Sequence, residues 1–320
     1  MGKNLPPRMF HKHGAFYYVT RVDGKLKWFR LDKDYQLALY KYAEMEGKTT
    51  DQGTVSGLIQ RYRLDVLPGK APKTQADRKW QLNRLDKVFG KMRLEAVTPP
   101  HIQRYLDKRE KKIAGNREIK LFSTLYRHAI NWGLCNSNPC EGAFYHPEPG
   151  RDRYITDAEF DRLKDKSDPM MRAIIEFAYL VGARRQDVLK LERKDITDDG
   201  VYIRQGKTGK RQLFYMTPEL DRVIKSAKRV NRKAKNLKYL FTNTKGQQIT
   251  ATGFNSAWRR LRETADLIGV NFHDIRAKAI TDAYQYRGLD YAQKLGGHQN
   301  RDQTEHYIKK KNTEGVEPIC

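Results

Sequence analysis

The segment at residues 146–153 most constrains the fold, because it divides the chain. It reads His-Pro-Glu-Pro-Gly-Arg-Asp-Arg, and two prolines with a glycine disfavour both helix and strand. Thr156-Asp157-Ala158-Glu159 follows and matches a capping box, which starts a helix. A chain of 320 residues is long enough for two or three domains. We therefore predict a linker at about 146–153 and a separate domain at 154–320.

The apolar residues before this linker change their spacing near position 53. Two runs at 16–20 and 25–31 are rich in aromatic and β-branched residues, and Asp23-Gly24 between them is a strong hairpin signal. An earlier strand and a helix at 35–46 complete the pattern. The sequence therefore predicts a small ββ(β)α domain in residues 1–52.

Residues 53–145 carry apolar side chains at helical spacing in four stretches, each with a basic opposite face. This pattern predicts a four-helix bundle whose basic faces either contact DNA or are ordinary solvated surfaces. Each helix has a candidate N-cap, a residue whose side chain accepts a hydrogen bond from the first-turn backbone. These candidates are Thr54, Thr74, Thr98 (followed by Pro99) and Asn116.

The formal net charge of +25 limits which classes of molecule the chain is expected to bind. The excess is spread along the chain, with +4 in residues 1–52, +9 in 53–150 and +12 in 151–320. A chain that is basic throughout is typical of a protein that lies along a polyanion, and nucleic acid is favoured over an anionic membrane surface. A basic protein that is merely soluble is the third interpretation.

Several protein classes are excluded by composition. The longest apolar stretch, at 173–183, is interrupted by Glu176 and is too short to span a bilayer. The first residues have no apolar signal region, and three cysteines cannot form a disulfide framework in a chain of this length. Integral membrane, disulfide-rich secreted and collagen-like proteins are therefore excluded, and a reducing compartment is expected.

Residues 154–320 contain polar motifs in a definite order. An apolar helix opened by Asp168-Pro169 ends at Gly182-x-Arg184-x-x-Asp187, and a predicted β-hairpin then presents Lys207 at its tip. The turn Gly206-Lys207-Thr208 is not an ATP-binding loop, because position 201 is Val and a strand follows. The remaining motifs are His273-x-x-Arg276, Leu295-Gly296-Gly297-His298 and, nine residues after His298, Tyr307.

Together these motifs resemble the tyrosine recombinases, and among them the phage integrases. The resemblance implies an arm-type DNA-binding domain (1–52), a helical core-binding domain (53–145) and a mostly helical catalytic domain with a small sheet (154–320). The whole chain is then multidomain and mainly α with small β-sheets. The chain departs from the family pattern at Val181, at Asp187 (usually Glu) and at the extra Gly296.

The resemblance implies a site-specific recombinase that cuts and rejoins DNA through a 3′-phosphotyrosine. A free tyrosine has a pKa of about 10, so about one in a thousand is ionised at pH 7 and a base is needed. The implied roles are nucleophile for Tyr307, base for His273, phosphate binding for Arg184, Arg276 and His298, general acid for Lys207, and orientation of a neighbouring group for Asp187.

Arg184 and Arg185 cannot both face the phosphate, because adjacent helical residues point about 100° apart. Their spacing from Gly182 and Asp187 selects Arg184. Arg185 is then predicted to contact the DNA backbone or to serve the structure, and Lys210 and Arg211 are predicted to contact DNA. No cofactor and no metal are expected, since His11, His13, Cys135 and Cys140 lack further ligands at suitable spacing.

The family resemblance also implies partners. These are double-stranded attachment-site DNA, a homotetramer that exchanges strands through a Holliday junction, a host DNA-bending protein and an excisionase-type directionality factor. The implied location is the bacterial host cytoplasm, at the nucleoid and with no membrane association. Two alternatives stay open: a topoisomerase-like or hairpin-forming enzyme using the same adduct, and a DNA-binding protein without catalysis.

Overall fold

A computed structural model describes residues 5–22, 24–45, 53–206, 209–230 and 238–308. The chain forms two compact units, Met1–Pro149 and Gly150–Cys320. Their boundary falls inside the predicted linker, and residues 143–156 contain neither helix nor strand. None of the helices in the described ranges is both long and apolar enough to cross a membrane.

The first unit begins with a three-stranded antiparallel sheet in the order β1-β2-β3. The strands are β1 (Met9–Lys12), β2 (Ala15–Val22) and β3 (Lys25–Arg30), and α1 (Tyr35–Met45) packs on them. Gly24 has a φ of 77°, which suits a tight turn between β2 and β3. Asp23, the other half of the predicted hairpin signal, lies outside the described residues.

Four α-helices follow, around their own core. They are α2 (Val55–Asp65), α3 (Pro72–Phe89), α4 (Pro99–Lys108) and α5 (Lys112–Asn131). The Thr54 hydroxyl accepts from the Gly57 amide at 3.2 Å, so Thr54 caps α2 as predicted. Thr98 is the N-cap of α4, with Pro99 in its first turn.

Two predicted N-caps were wrong. Thr74 lies inside the first turn of α3, because Pro72 has the φ angle that a first helical position requires and starts the helix earlier. Asn116 lies inside α5, fully buried. Its side chain donates to the His146 carbonyl at 2.8 Å and accepts from the His146 amide at 3.1 Å. Asn116 therefore binds the backbone of His146, the first residue of the predicted linker.

The second unit is mostly helical. Its elements are α6 (Asp157–Asp165), α7 (Pro169–Val181), α8 (Arg185–Leu189), β4 (Gly200–Arg204), β5 (Arg211–Tyr215), α9 (Pro218–Val230), α10 (Ala251–Thr264), α11 (Phe272–Gly296) and α12 (Arg301–Glu305). The predicted capping box of Thr156 and Glu159 is present, and Asp168 caps α7. β4 and β5 form the predicted antiparallel hairpin.

Two glycines end the helices that carry the polar motifs. Gly182 closes α7 with a φ of 56°, and Gly297 closes α11 with a φ of 61°. A glycine accepts this left-handed conformation without a steric cost, so each helix can stop and turn its next residues sideways. Arg184 and His298 follow these two turns.

Candidate active site

Tyr307 lies against the first turn of α11. Its hydroxyl oxygen is 2.9 Å from Nε2 of His273, and the two ring centroids are 5.5 Å apart. The helix begins here because Asn271 and Asp274 form a capping box for its first-turn amides. Phe272 packs into the core, so the adjacent His273 points outward from it.

Arg276 lies one turn further along α11 and is buried. Its guanidinium donates to the Gly182 carbonyl, to the Gly296 carbonyl at 2.6 Å and to Nε2 of His298 at 2.9 Å. Burial, and then the charge of Arg184, lower the pKa of Arg276. Within the described chain its buried Nε–H has no hydrogen-bond partner.

His298 is also buried, and both of its ring nitrogens are engaged. Nδ1 is 3.0 Å from the Thr304 hydroxyl oxygen. Because Arg276 donates to Nε2, the hydrogen of the neutral ring lies on Nδ1 and points to Thr304. Burial, and then the charges of Arg276, Arg184 and Lys210, lower the pKa of His298 to about 4. The ring is therefore neutral at pH 7.

The Tyr307 ring closes this group from one side. It stacks on His298 with centroids 5.0 Å apart and an angle of 22° between the planes. The Arg276 Cζ lies 5.4 Å from its centroid, which is within cation–π range. The backbone carbonyl of Tyr307 accepts a hydrogen bond from the Thr281 hydroxyl at 3.0 Å. The phenol is therefore held at its hydroxyl, its ring and its backbone.

Arg184 is connected to the residues around Tyr307 by a hydrogen bond to Gln205. Its NH1 donates to the Gln205 side-chain oxygen at 2.8 Å, and the buried Gln205 amide donates in turn to Gln212 at 2.6 Å. Gly297 packs so close that a Cβ there would lie 2.1 Å from Gln205 Nε2. Gln205 thus links Arg184, the β4–β5 hairpin and the turn before His298.

Asp187 binds the backbone of the β4–β5 hairpin just before its tip. It is buried, and its Oδ1 accepts from the Gly206 amide at 2.9 Å. The shorter Asp side chain, in place of the usual Glu, therefore still reaches the hairpin. Lys207 comes next in the chain and lies outside the described residues.

Arg185, Lys210 and Arg211 are the three residues predicted to contact DNA. Arg185 donates to Asn255 at 2.5 Å. The Arg211 guanidinium lies 4.4 Å from the Tyr202 ring centroid. Lys210 borders a pocket of about 300 Å³ that His298 also lines. Arg185 thus has a structural contact, which was one of its two predicted uses.

Known proteins match the part of the chain that carries this group. The phage integrase family model matches residues 153–314. The chain belongs to the phage integrase family. Its function is that of a phage-type tyrosine recombinase, an enzyme that cleaves and religates DNA at specific sites. The family predicted from the motifs is therefore confirmed.

Two relatives show how far the similarity extends along this integrase. It is 27% identical over 213 residues to a shufflon-specific DNA recombinase of Escherichia coli, a match covering 62% of this chain and 52% of that relative. The chain thus spans about half the length of that relative. It is 21% identical over 336 residues to an integrase of Enterobacteria phage 434, covering 95% of this chain and 94% of that one.

Solved structures share the fold of the integrase over its whole length. A lambda integrase dimer bound to a COC′ core site superposes with a TM-score of 0.68 and 18% identity, covering 100% of this chain and 99% of that one. A lambda integrase tetramer bound to a Holliday junction gives a TM-score of 0.69 with 18% identity and the same coverage. The mainly helical fold with small sheets is the predicted one.

Three residues of the integrase site had no signal in the sequence. Gln205, Thr281 and Thr304 touch Arg184, Tyr307 and His298 respectively. Gln205 directly follows β4, and Thr281 and Thr304 lie within helices, so only the folded arrangement identifies them. In the described ranges, no group of three or more His, Cys, Asp or Glu side chains is arranged to hold a metal ion.

The assembled integrase site combines an acceptor for a phenol proton with concentrated positive charge. His273 contacts the Tyr307 hydroxyl, while Arg184 and Arg276 are close enough for one charge to lower the pKa of the other. Two like charges held together in a partly buried site favour a bound anion, and planar guanidinium groups match phosphate oxygens. The arrangement suits nucleophilic attack on a phosphodiester.

Proposed function

We propose that Tyr307 is the nucleophile of this recombinase and His273 its general base. The observation that carries this proposal is the 2.9 Å contact between the Tyr307 hydroxyl and His273 Nε2. A base within hydrogen-bonding reach of the attacking oxygen meets the geometric requirement for proton abstraction. Tyr307 lies in the same group as Arg276, so the attacked phosphate would be bound where the phenol already points.

The proposed reaction is a transesterification at phosphorus. The Tyr307 oxygen forms a bond to phosphorus as its proton passes to His273, and the bond from phosphorus to the 5′ oxygen breaks. The product is a 3′-phosphotyrosine and a free 5′-hydroxyl, whose proton comes from Lys207. A 5′-hydroxyl from a second strand reverses these steps, so the energy of the phosphodiester is retained and no ATP is consumed.

The remaining charged groups have supporting roles in this proposal. Arg184 and Arg276 stabilise the negative charge on the non-bridging oxygens of the phosphorane. His298 binds the phosphate once Nε2 has released Arg276 and taken up a proton. Asp187 orients a neighbouring catalytic group, since it already accepts from the Gly206 amide. Arg185, Lys210 and Arg211 contribute contacts to the DNA backbone, as their charge allows.

We further assign the domains and partners. Residues 1–52 form an arm-type DNA-binding domain, 53–145 a four-helix core-binding domain, and 154–320 the catalytic domain, with a linker at about 146–153. Four copies pair two attachment sites and exchange strands through a Holliday junction, which integrates or excises DNA in the bacterial cytoplasm. A host DNA-bending protein and an excisionase-type factor assist. Solved relatives bound to core-site DNA and to a Holliday junction support the DNA substrate and the tetramer.

The experiment uses a nicked suicide duplex carrying the attachment site, which is read from the junctions of the encoding element with its host DNA. Wild type, Tyr307→Phe and Tyr286→Phe are mixed with it, and a denaturing gel reports covalent protein–DNA complex. Tyr286 is a matched control, since it lies on α11 and is 84% exposed.

We expect a covalent band with wild type and Tyr286→Phe and none with Tyr307→Phe. A band that survives in Tyr307→Phe would show that another tyrosine attacks. DNA bound without any covalent band would favour a non-catalytic DNA-binding protein. Plasmids carrying two sites then separate recombination, which rearranges DNA, from topoisomerase-like relaxation.

A further inference from the structure

Three charged side chains on α11 form a second polar row, separate from the contacts around Tyr307. Asp274, Lys278 and Asp282 follow one another at intervals of four, so they share one face of the helix. They are 3%, 1% and 7% exposed. Charged groups this deeply buried require specific partners.

The first partner is Arg151, which belongs to the segment without helix or strand at 143–156. Its Nε lies 2.9 Å from Asp274 Oδ1 and its NH2 lies 2.7 Å from Asp274 Oδ2, the paired geometry that guanidinium and carboxylate favour. Arg151 also donates to the Gly269 carbonyl, just before the helix. Asp274 accepts in addition from the Asn271 amide at 2.8 Å. One carboxylate therefore both caps α11 and holds Arg151.

The second partner is Tyr154, three residues further along the same segment. Its hydroxyl accepts from Lys278 Nζ at 2.9 Å and donates to Asp282 Oδ1 at 2.6 Å. Lys278 also contacts Asp157, in the first turn of α6. Burial works against the charge of Lys278, but these hydrogen bonds outweigh it and raise the pKa, so the ammonium group stays charged.

Arg151, Tyr154 and Asp157 therefore bind successive turns of the helix that carries His273 and Arg276. Asp274 is the immediate neighbour of His273, and Lys278 lies two positions after Arg276. A small shift of α11 along this row would move the His273 ring away from the Tyr307 hydroxyl. Active-site groups tolerate displacements of only about 0.5 Å, and a shift of 1 Å costs on the order of 100-fold in rate.

We propose that Arg151, Tyr154 and Asp157 form a linker clamp, a set of positioning residues that keeps His273 and Arg276 aligned with Tyr307. The inference rests on the proposed roles of those three residues. The clamp ties the first residues of the second compact unit directly to the helix that carries the base. If these clamp residues move, His273 and Arg276 are therefore displaced from Tyr307 even when the packing of the hydrophobic core is unchanged.

The test compares Arg151→Met with Arg153→Met. Arg153 is a matched control, because it lies in the same segment, has a similarly exposed side chain (37% against 46%) and pairs with Glu159 of α6 instead of α11. Arg151→Lys restores the charge without the planar fork. Each variant is measured for DNA affinity, for unfolding temperature and for the single-turnover rate of covalent complex formation at saturating protein.

We expect Arg151→Met to lower the single-turnover rate about 10-fold, Arg151→Lys to recover part of it, and Arg153→Met to match wild type. DNA affinity should be unchanged in all three. Equal rates in the two Met variants would overturn the clamp while leaving the phosphotyrosine chemistry intact. A rate loss that follows the unfolding temperature across the variants would also overturn it, because it would mark a structural role.

A measurement without DNA keeps the clamp testable if wild type forms no covalent complex. Amide hydrogen exchange over residues 271–278 reports the opening of the first turns of α11. Faster exchange in Arg151→Met, and unchanged exchange in Arg153→Met, would support the hold of the clamp on the first turns of α11, whichever tyrosine attacks the DNA. Unchanged exchange in both variants would overturn it.

Discussion

His273 and Tyr307 are 34 positions apart in the chain, yet Nε2 of one lies 2.9 Å from the hydroxyl oxygen of the other. A single helix holds both, since α11 carries His273 in its first turn and Thr281 on a later one, and Thr281 binds the Tyr307 backbone carbonyl. These two contacts on α11, together with the stacking of the Tyr307 ring on His298 beyond the end of α11, set the relative position of the proposed base and nucleophile.

Replacing His273 with Gln should slow covalent complex formation by about 100-fold to 10,000-fold, the usual contribution of a positioned general base. DNA binding should be retained, because the arginine side chains are untouched. The measurement is the single-turnover rate on the suicide duplex. His306→Gln is the control, since His306 is exposed and adjacent to Tyr307 in sequence. A rate for His273→Gln equal to that of His306→Gln would remove His273 from the base role.

The residues that meet around Tyr307 were predicted through the resemblance to the tyrosine recombinases, which rests on the order and spacing of the motifs. Gly182, Arg184, His273, Arg276, His298 and Tyr307 were all assigned on those grounds. The helix starts at Thr54, Thr98 and Thr156 were predictable for a local reason, since a cap bonds to its own first turn.

Contacts between distant segments were not predictable in this way. Asn116 looks like a cap, but burial against His146 gives its amide a better partner than a helix end. Gln205 has no motif, and its importance comes from the close approach of Gly297, which only the folded chain creates. Lys278 looks like a solvated lysine in the sequence and is instead 1% exposed.

Gly297→Ala should destabilise the fold more than Gly209→Ala, a change at another left-handed glycine. Its new Cβ would lie 2.1 Å from Gln205 Nε2 and 2.2 Å from Gln212 Oε1, so both side chains would have to move. Gly209→Ala isolates this effect, because Gly209 has a φ of 72° and nothing within 4 Å of the added Cβ.

Chemical unfolding should give about 1–3 kcal/mol of extra destabilisation for Gly297→Ala over Gly209→Ala, the cost of leaving buried polar groups unpaired. Covalent complex formation should also slow, because Gln205 would lose its hold on Arg184. Equal unfolding free energies for the two variants would show that the turn adapts without moving Gln205.

Stability should fall between about pH 6.5 and pH 4 because of His298. Burial and the charges of Arg276, Arg184 and Lys210 lower its pKa to about 4 in the folded chain, below the ordinary value of 6.5. In this range the unfolded state binds the proton first, so lowering the pH favours unfolding. The loss amounts to at most about 3 kcal/mol and levels off below pH 4.

The test for His298 is the free energy of unfolding at pH 7 and pH 4.5 for wild type, His298→Asn and His306→Gln. The Asn variant should lose less stability on acidification than wild type, whereas the His306 variant should keep the wild-type difference. The same pH dependence in all three proteins would assign the acid sensitivity to other groups.

Thr281→Val should slow covalent complex formation about 10-fold by releasing the Tyr307 backbone. The hydroxyl is fully buried and lies 2.8 Å from the Ala277 carbonyl and 3.0 Å from the Tyr307 carbonyl, so valine keeps the shape and removes both contacts. Thr264→Val controls for the loss of the contact within the helix, the one from Thr281 to the Ala277 carbonyl. The Thr264 hydroxyl donates only within α10, to the Arg260 carbonyl at 3.0 Å. Thr281→Ser should restore the rate. If Thr281→Val and Thr264→Val react equally fast, the hydroxyl serves α11 alone and Tyr307 is held by its ring and hydroxyl contacts.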